Sequence, residues 1–163
     1  MPLFFNKYGL VSLSLGQQID SLQMKVIPFP LSNIKDVFSV SPDENDWFVI
    51  DSDTGYFADS NLEIGPVFLL CSKERTIRKI KIYGKEKGDI LFQTFSREFG
   101  DPLTGGNIYN THYVWNLLKD TTAYLFKTNN DFYPSMGYNF ELTFSYVNDA
   151  ENFGKYIVRP KFK

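Results

Sequence analysis

The sequence predicts an α+β domain in which a mostly antiparallel β-sheet carries one main helix. Aromatic residues make up 17% of the chain, with 16 Phe and 10 Tyr, and such residues favour strands. From Phe140 to Val147 apolar and polar residues alternate, which is typical of a strand with one buried and one solvated face. Apolar residues at helical spacing over residues 88–99 predict the main helix.

The helix prediction depends on one apolar stripe and on residues that suit the two helix ends. The stripe is formed by Leu91, Phe92, Phe95 and Phe99. Asp89 suits the N-cap, Gly100 suits the C-cap, and Pro102 prevents continuation of the helix. Near the N-terminus, residues 17–22 are predicted to form a short helical segment of one or two turns.

Strands are predicted where short runs rich in β-branched and aromatic residues end at turn residues. These runs are 9–15, 24–29, 47–50, 56–64, 67–72, 76–83, 111–118, 121–128, 140–147 and 155–158. The runs 67–72 and 76–83 predict a hairpin, and the runs 111–118 and 121–128 predict a second pair. Within the first hairpin, a solvated strand face is expected for Lys79, Lys81 and Tyr83. Residues 33–41 leave a helical turn and a strand as alternatives.

The length of 163 residues fits a single globular domain over residues 1–163, with a core that needs no metal or disulfide. Cys71 is the only cysteine, so an intramolecular disulfide is impossible, which suits a reducing compartment. Residues 1–16 lack the cationic start and apolar stretch of a signal peptide. No apolar run reaches the ~18 residues that span a bilayer. We therefore expect a cytoplasmic protein without membrane contact.

The charges are segregated along the chain. Residues 36–63, the acidic segment, carry eight carboxylates and no Lys or Arg. Residues 71–87, the basic segment, carry seven cations and two anions, although the formal net charge of the chain is only -2. An acidic surface steers a basic partner and raises its association rate. The alternative is that the two segments are neighbouring strands that neutralise each other.

Aromatic residues within the acidic segment favour a binding surface. A carboxylate rim around exposed aromatics is typical of a protein interface, and the alternative is that these aromatics belong to the core. The predicted partner-binding residues are Asp43, Glu44, Asp46, Trp47, Asp51, Asp53 and Asp59.

Two motif matches in the acidic segment are incomplete. Asp53-Thr54-Gly55 matches the aspartic protease triplet, but that chemistry needs two carboxylates sharing a proton and the chain has one copy. A calcium loop starting at Asp51 would need glycine at its sixth position and glutamate at its twelfth, where Tyr56 and Leu62 stand. Weak divalent-cation binding stays an alternative, but no dedicated metal site and no cofactor are predicted.

No catalytic residues are predicted. Cys71 closes an apolar run and is expected to be a buried hydrophobe rather than a nucleophile paired with His112, the only histidine. Catalysis by carboxylates alone stays open, because their separations are unknown from sequence. A pI of about 5.4, and Tyr83 as the only aromatic in the basic segment, argue against nucleic-acid binding.

The order of motifs resembles small bacterial toxin-immunity proteins and related uncharacterised bacterial families. The similar features are Gly9-Leu10 to Leu15-Gly16, then Phe99-Gly100-Asp101-Pro102 after the main helix, and Tyr113-Val114-Trp115 in the next strand. The resemblance implies an inhibitor of a co-encoded toxin, and it transfers no functional residue.

The leading hypothesis is a non-enzymatic module that binds a basic protein, such as a nuclease toxin, through the acidic segment. An acidic surface with aromatics can imitate the nucleic acid that such a toxin binds. A small enzyme or small-molecule binder, with an aromatic pocket and one or two carboxylates, is the first alternative. A self-associating accessory subunit is the second alternative, and the oligomeric state is left open.

Overall fold

The structure, a computed structural model, describes residues 2–3, 5–6, 9–10, 13–22, 25–28, 46–50, 55–57, 62–84, 89–106, 110–118, 121–128 and 140–146. The strands in these ranges are β1 (Pro2–Leu3), β2 (Phe5–Asn6), β3 (Gly9–Leu10), β4 (Leu13–Ser14), β5 (Val26–Pro28), β6 (Asp46–Ile50), β7 (Gly55–Phe57), β8 (Leu62–Cys71), β9 (Ile77–Gly84), β10 (Leu103–Gly106), β11 (Asn110–Leu118), β12 (Thr121–Thr128) and β13 (Phe140–Tyr146). One helix, α1, spans Asp89–Phe99. The predicted segments 33–41 and 155–158 lie outside the described residues.

Ten of the strands form one sheet in the order β1-β7-β8-β9-β13-β12-β11-β10, with β6 also on β8 and β5 on β6. All pairings are antiparallel except that of β1 with β7. A separate small sheet contains β2, β3 and β4. The prediction of a mostly antiparallel sheet with one helix is therefore confirmed for this part of the chain, as are both predicted pairs of adjacent strands.

The helix lies within the predicted range 88–99 and ends at Phe99, as its sequence predicts. Asp89, expected as the N-cap, is its first residue. Gly100 follows the helix with φ of 85°, and its N–H donates to the Ser96 carbonyl at 2.9 Å. This is a left-handed cap of the kind that glycine favours. The Trp115 indole N–H also donates to the Gly100 carbonyl at 3.0 Å, which ties the helix end to β11.

The apolar stripe of α1 packs on one face of the sheet, the helix face. The Phe95 ring centroid lies 5.3 Å from that of Trp115 and 5.9 Å from that of Phe144. Between them in the strand register stands Ala123, which pairs with both residues. Its small side chain leaves room for Phe95, which is fully buried.

The N-terminal segment 13–22 closes one end of this core. The predicted short helix is a single 3-10 turn over Ile19–Ser21. The segment is bonded to the β8–β9 turn, because the Gly16 N–H donates to Ile77 O at 2.8 Å and the Ile19 N–H donates to Arg75 O at 2.9 Å. The buried apolar side chains of this segment are Leu13, Leu15 and Ile19.

The opposite face of the sheet, which we call the far face, contains two strand faces that were predicted to be solvated. Both predictions are wrong. In β9, Lys79, Lys81 and Tyr83 are buried, with Lys81 only 1% exposed. In β13, Thr143 and Ser145 are buried as well. The alternation of polar and apolar residues was predicted correctly, but both the polar and the apolar face of these two strands are buried. Because β9 and β13 are neighbours in the strand order, these buried polar residues lie side by side on the far face.

No helix in the described ranges is both long enough and apolar enough to cross a membrane.

Candidate functional site

The structure describes two of the seven predicted partner-binding residues. Asp46 is the first residue of β6 and pairs with Cys71, while Trp47 is 3% exposed. Phe48, another aromatic of the acidic segment, is also buried and belongs to the core on the helix face. The predicted residues outside the described ranges are Asp43, Glu44, Asp51, Asp53 and Asp59. A contact role for all seven stays a prediction.

Strands of the acidic and basic segments lie on opposite edges of β8, which itself contains residues 62–63 of the acidic segment and Cys71 of the basic segment. Both β6 and β7 pair with one edge of β8, and β9 pairs with the other edge. Because adjacent strands are about 4.8 Å apart, the backbones of β6 and β9 lie about 10 Å apart across β8. The strand β8 therefore prevents β6 or β7 from pairing directly with β9.

Two cations of the basic segment form ion pairs with carboxylates from elsewhere in the chain. Arg75 pairs with Asp20 through Nε and Oδ2 at 2.9 Å, on an exposed surface. Lys81 pairs with Glu141 through Nζ and Oε1 at 3.0 Å, inside the far face. Part of the basic charge is therefore paired with Asp20 and Glu141, which lie outside the acidic segment.

The far face carries a buried polar cluster contributed by four strands. Its members are Lys81, Tyr83, His112, Tyr124, Glu141 and Thr143. The Glu141 carboxylate accepts hydrogen bonds from Lys81 Nζ at 3.0 Å, from the Tyr83 hydroxyl at 3.2 Å and from the Thr143 hydroxyl at 3.2 Å. A carboxylate that is only 16% exposed and has three donors is held in one orientation and is compensated for its lost hydration.

His112 shares a hydrogen bond between its Nδ1 and the Tyr124 hydroxyl, across the β11–β12 ladder. Burial lowers the pKa of His112 below its ordinary value, and the negative charge of Glu141 partly opposes that shift. His112 is therefore held mainly in its neutral form near neutral pH. The structural role expected for this residue agrees with its burial and its hydrogen bond.

A catalytic pair of Cys71 and His112 does not form. Cys71 is fully buried in the core of the helix face, whereas His112 belongs to the far-face cluster. The two residues lie on β8 and β11, which are four strand spacings apart in the sheet. That separation is about 19 Å, far beyond the reach of a hydrogen bond.

Sequence reasoning missed the polar cluster because its members come from separate segments. Lys81 and Glu141 are sixty residues apart and meet only because β9 pairs with β13. Polar residues at alternate positions of both strands were the available signal, but a single sequence does not give the strand order.

Across the described ranges, no group of three or more His, Cys, Asp or Glu side chains is placed to hold a metal ion. No protein-family model, curated protein or solved structure matches this chain.

Proposed function

We propose that this protein is a non-enzymatic binding module for a basic protein, and that it serves in the cytoplasm as an immunity protein for a co-encoded toxin such as a nuclease. The proposal is supported chiefly by the eight carboxylates of the acidic segment, which contains no cation. The position of β8 between β6 and β9 adds support, because it keeps these two strands from pairing directly with each other.

The mechanism follows from the chemistry of the partner. A nuclease binds a polyanion, so the surface around its active site is basic. Carboxylates presented by the acidic segment would attract that surface over a distance and then occupy it. Inhibition by occupation requires no catalytic residue in the inhibitor.

The test is affinity capture from a lysate of the source cell at low and raised salt, with the wild-type protein and the triple variant Asp43→Lys, Glu44→Lys and Asp46→Lys. We expect one basic partner that binds the wild type, is released as salt rises and is not retained by the triple variant. Close interfacial charge pairs couple by about 1.5–7 kcal/mol, so three reversals should abolish retention.

A matched control makes the same change of charge at three carboxylates that lie outside the acidic segment. The variant Glu74→Lys, Glu98→Lys and Asp101→Lys alters three exposed carboxylates outside the acidic segment. This control should retain the partner. Equal retention by both triple variants would show that the acidic segment does not form the binding surface.

A small-molecule binder is the second candidate, and the buried polar cluster favours it. Fixed carboxylate, imidazole and phenol groups in a low-dielectric interior are typical of sites that recognise polar ligands. Thermal-shift screening with nucleotides, sugars and small carboxylates tests this function. A ligand that stabilises the wild type but not a Glu141→Gln variant would support it, and the absence of any stabilising ligand would count against it.

A further inference from the structure

From an exposed turn, Arg75 contacts both the N-terminal segment and β6. Its guanidinium donates from Nε and Nη2 to the two carboxylate oxygens of Asp20, each at 2.9 Å. The same guanidinium lies 5.4 Å from the centroid of the Phe48 ring, within the range of a cation–π contact. Its backbone carbonyl accepts the Ile19 N–H at 2.9 Å. One residue therefore joins the β8–β9 turn, the N-terminal segment and β6.

The backbone of Arg75 shows that this position is specialised. Among the described residues other than glycine, only Arg75 has a positive φ, at 62°. This left-handed conformation is unfavourable for a residue with a β-carbon, and glycine or asparagine would adopt it more readily. The arginine side chain is therefore retained at a position where the backbone favours another residue type.

The contacts of Arg75 occur where the acidic segment joins the sheet. Asp46, the first residue of β6, pairs with Cys71, which immediately precedes the turn that contains Arg75. Phe48 is two residues further along β6 and pairs with Leu69. Asp46 therefore lies next to the Arg75 turn, and its placement depends on how firmly the start of β6 is held.

We propose that Arg75 is a positioning residue for the acidic segment: its planar guanidinium, fixed by Asp20, holds Phe48 and with it the start of β6. This role rests on the proposed function only for its biological purpose, which is to present carboxylates to a basic partner in one arrangement. A lysine would supply the same charge without the two-pronged contact to Asp20.

Amide hydrogen exchange on the full chain tests the positioning role without any partner. The Arg75→Gln variant should show several-fold faster exchange for the amides of residues 47–50, while the amides of β11 and β12 keep their wild-type rates. Arg97→Gln is the matched control, since Arg97 is an exposed arginine on α1. Unchanged exchange of residues 47–50 in Arg75→Gln would overturn the proposal.

Two further variants separate the effects of the turn backbone, the side-chain charge and the bidentate geometry of the guanidinium. Arg75→Gly suits the positive φ, so it preserves the turn even if Arg75→Gln destabilises it, and it should show the same faster exchange in β6. Arg75→Lys restores the charge but not the bidentate contact, and it should resemble Arg75→Gln. Full restoration of slow exchange by lysine would show that charge alone matters and would overturn the positioning role.

Partner capture then connects this role to function. Where the wild type captures a basic partner, Arg75→Gln should release it at lower salt than Arg97→Gln does. Identical release by the two variants would overturn the role of Arg75 in binding. If the wild type captures nothing, the proposed function fails, and hydrogen exchange still decides whether Arg75 positions β6.

Discussion

Lys81 on β9 and Glu141 on β13 form a diagonal ion pair in the far face, with Nζ and Oε1 3.0 Å apart. The two side chains are unequally buried, with 1% of Lys81 and 16% of Glu141 exposed. Removing a charge from water costs several kcal/mol unless a partner and hydrogen bonds compensate for it. Each charged side chain would therefore destabilise the folded protein if the other were removed.

We predict that the two ends of this pair differ in sensitivity to substitution. Glu141→Gln removes the negative charge that lies 3.0 Å from the buried Lys81 ammonium group and should cost about 3–5 kcal/mol of unfolding free energy. Lys81→Met should cost less, because Glu141 is closer to solvent and keeps the Tyr83 and Thr143 donors. Urea unfolding of both variants measures the difference.

A more exposed ion pair provides the control for this comparison. Lys127 on β12 pairs with Asp89 at the start of α1, with 17% of the Lys127 side chain and 55% of the Asp89 side chain exposed. Lys127→Met should cost no more than about 1 kcal/mol, since the Asp89 carboxylate stays hydrated without its partner. A Glu141→Gln cost as small as that of Lys127→Met would contradict the importance of burial at the Lys81–Glu141 pair.

The titration of His112 should show the effect of its burial. We predict a pKa below 6.5 in the folded protein, because burial disfavours the imidazolium form. The unfolded state then binds protons more readily, so His112 stabilises the fold fully above pH 6.5 and loses this contribution as the pH falls towards its folded pKa. As His112 is the only histidine, its NMR signals report this titration unambiguously.

A second variant tests the electrostatic part of the same prediction. The negative charge of Glu141 raises the pKa of His112 against the effect of burial. The Glu141→Gln variant should therefore titrate His112 at a still lower pH than the wild type. A pKa that rises or stays constant in this variant would show that the carboxylate does not act on the imidazole.

Asp20 should titrate below its ordinary value because of Arg75. The hydrogen bonds from Arg75 hold the pKa of Asp20 below 3.8, and the positive charge adds to that effect. The contribution to stability is present at pH values above the unfolded pKa and is lost as the pH falls through the folded pKa. Carbon-13 NMR should show the Asp20 pKa returning towards 3.8 in Arg75→Gln and staying low in Arg97→Gln.

The sequence predicted α1 well because its signals are local. A stripe at helical spacing, a glycine at position 100 and a proline at position 102 lie within fifteen residues and need no tertiary information. The adjacent strands β8 and β9 were predictable for the same reason. The N-terminal segment was harder, because its conformation follows from backbone bonds to Arg75 and Ile77, about sixty residues away.

The burial of Lys79 and Lys81 was not predictable, because alternation does not reveal whether the polar face of a strand meets water. That outcome depends on tertiary contacts over the far face, which the alternation along one strand does not encode. The candidate interface was predicted from the segregated charge and from the aromatic residues within the acidic segment. The strand order adds that β8 lies between β6 and β9, so these two strands do not pair directly.

The last prediction concerns two glycines that are needed for different reasons. A β-carbon at Gly84 would collide with the ring of Phe140, its cross-strand partner, so Gly84→Ala should cost about 1–3 kcal/mol. A β-carbon at Gly100 would meet nothing within 4 Å, and Gly100→Ala should cost about 1–2 kcal/mol through its positive φ alone. Adding Phe140→Leu should recover part of the Gly84→Ala cost and none of the Gly100→Ala cost, as measured by thermal unfolding. Equal coupling of Phe140→Leu to both alanines would show that the ring does not set the requirement at Gly84.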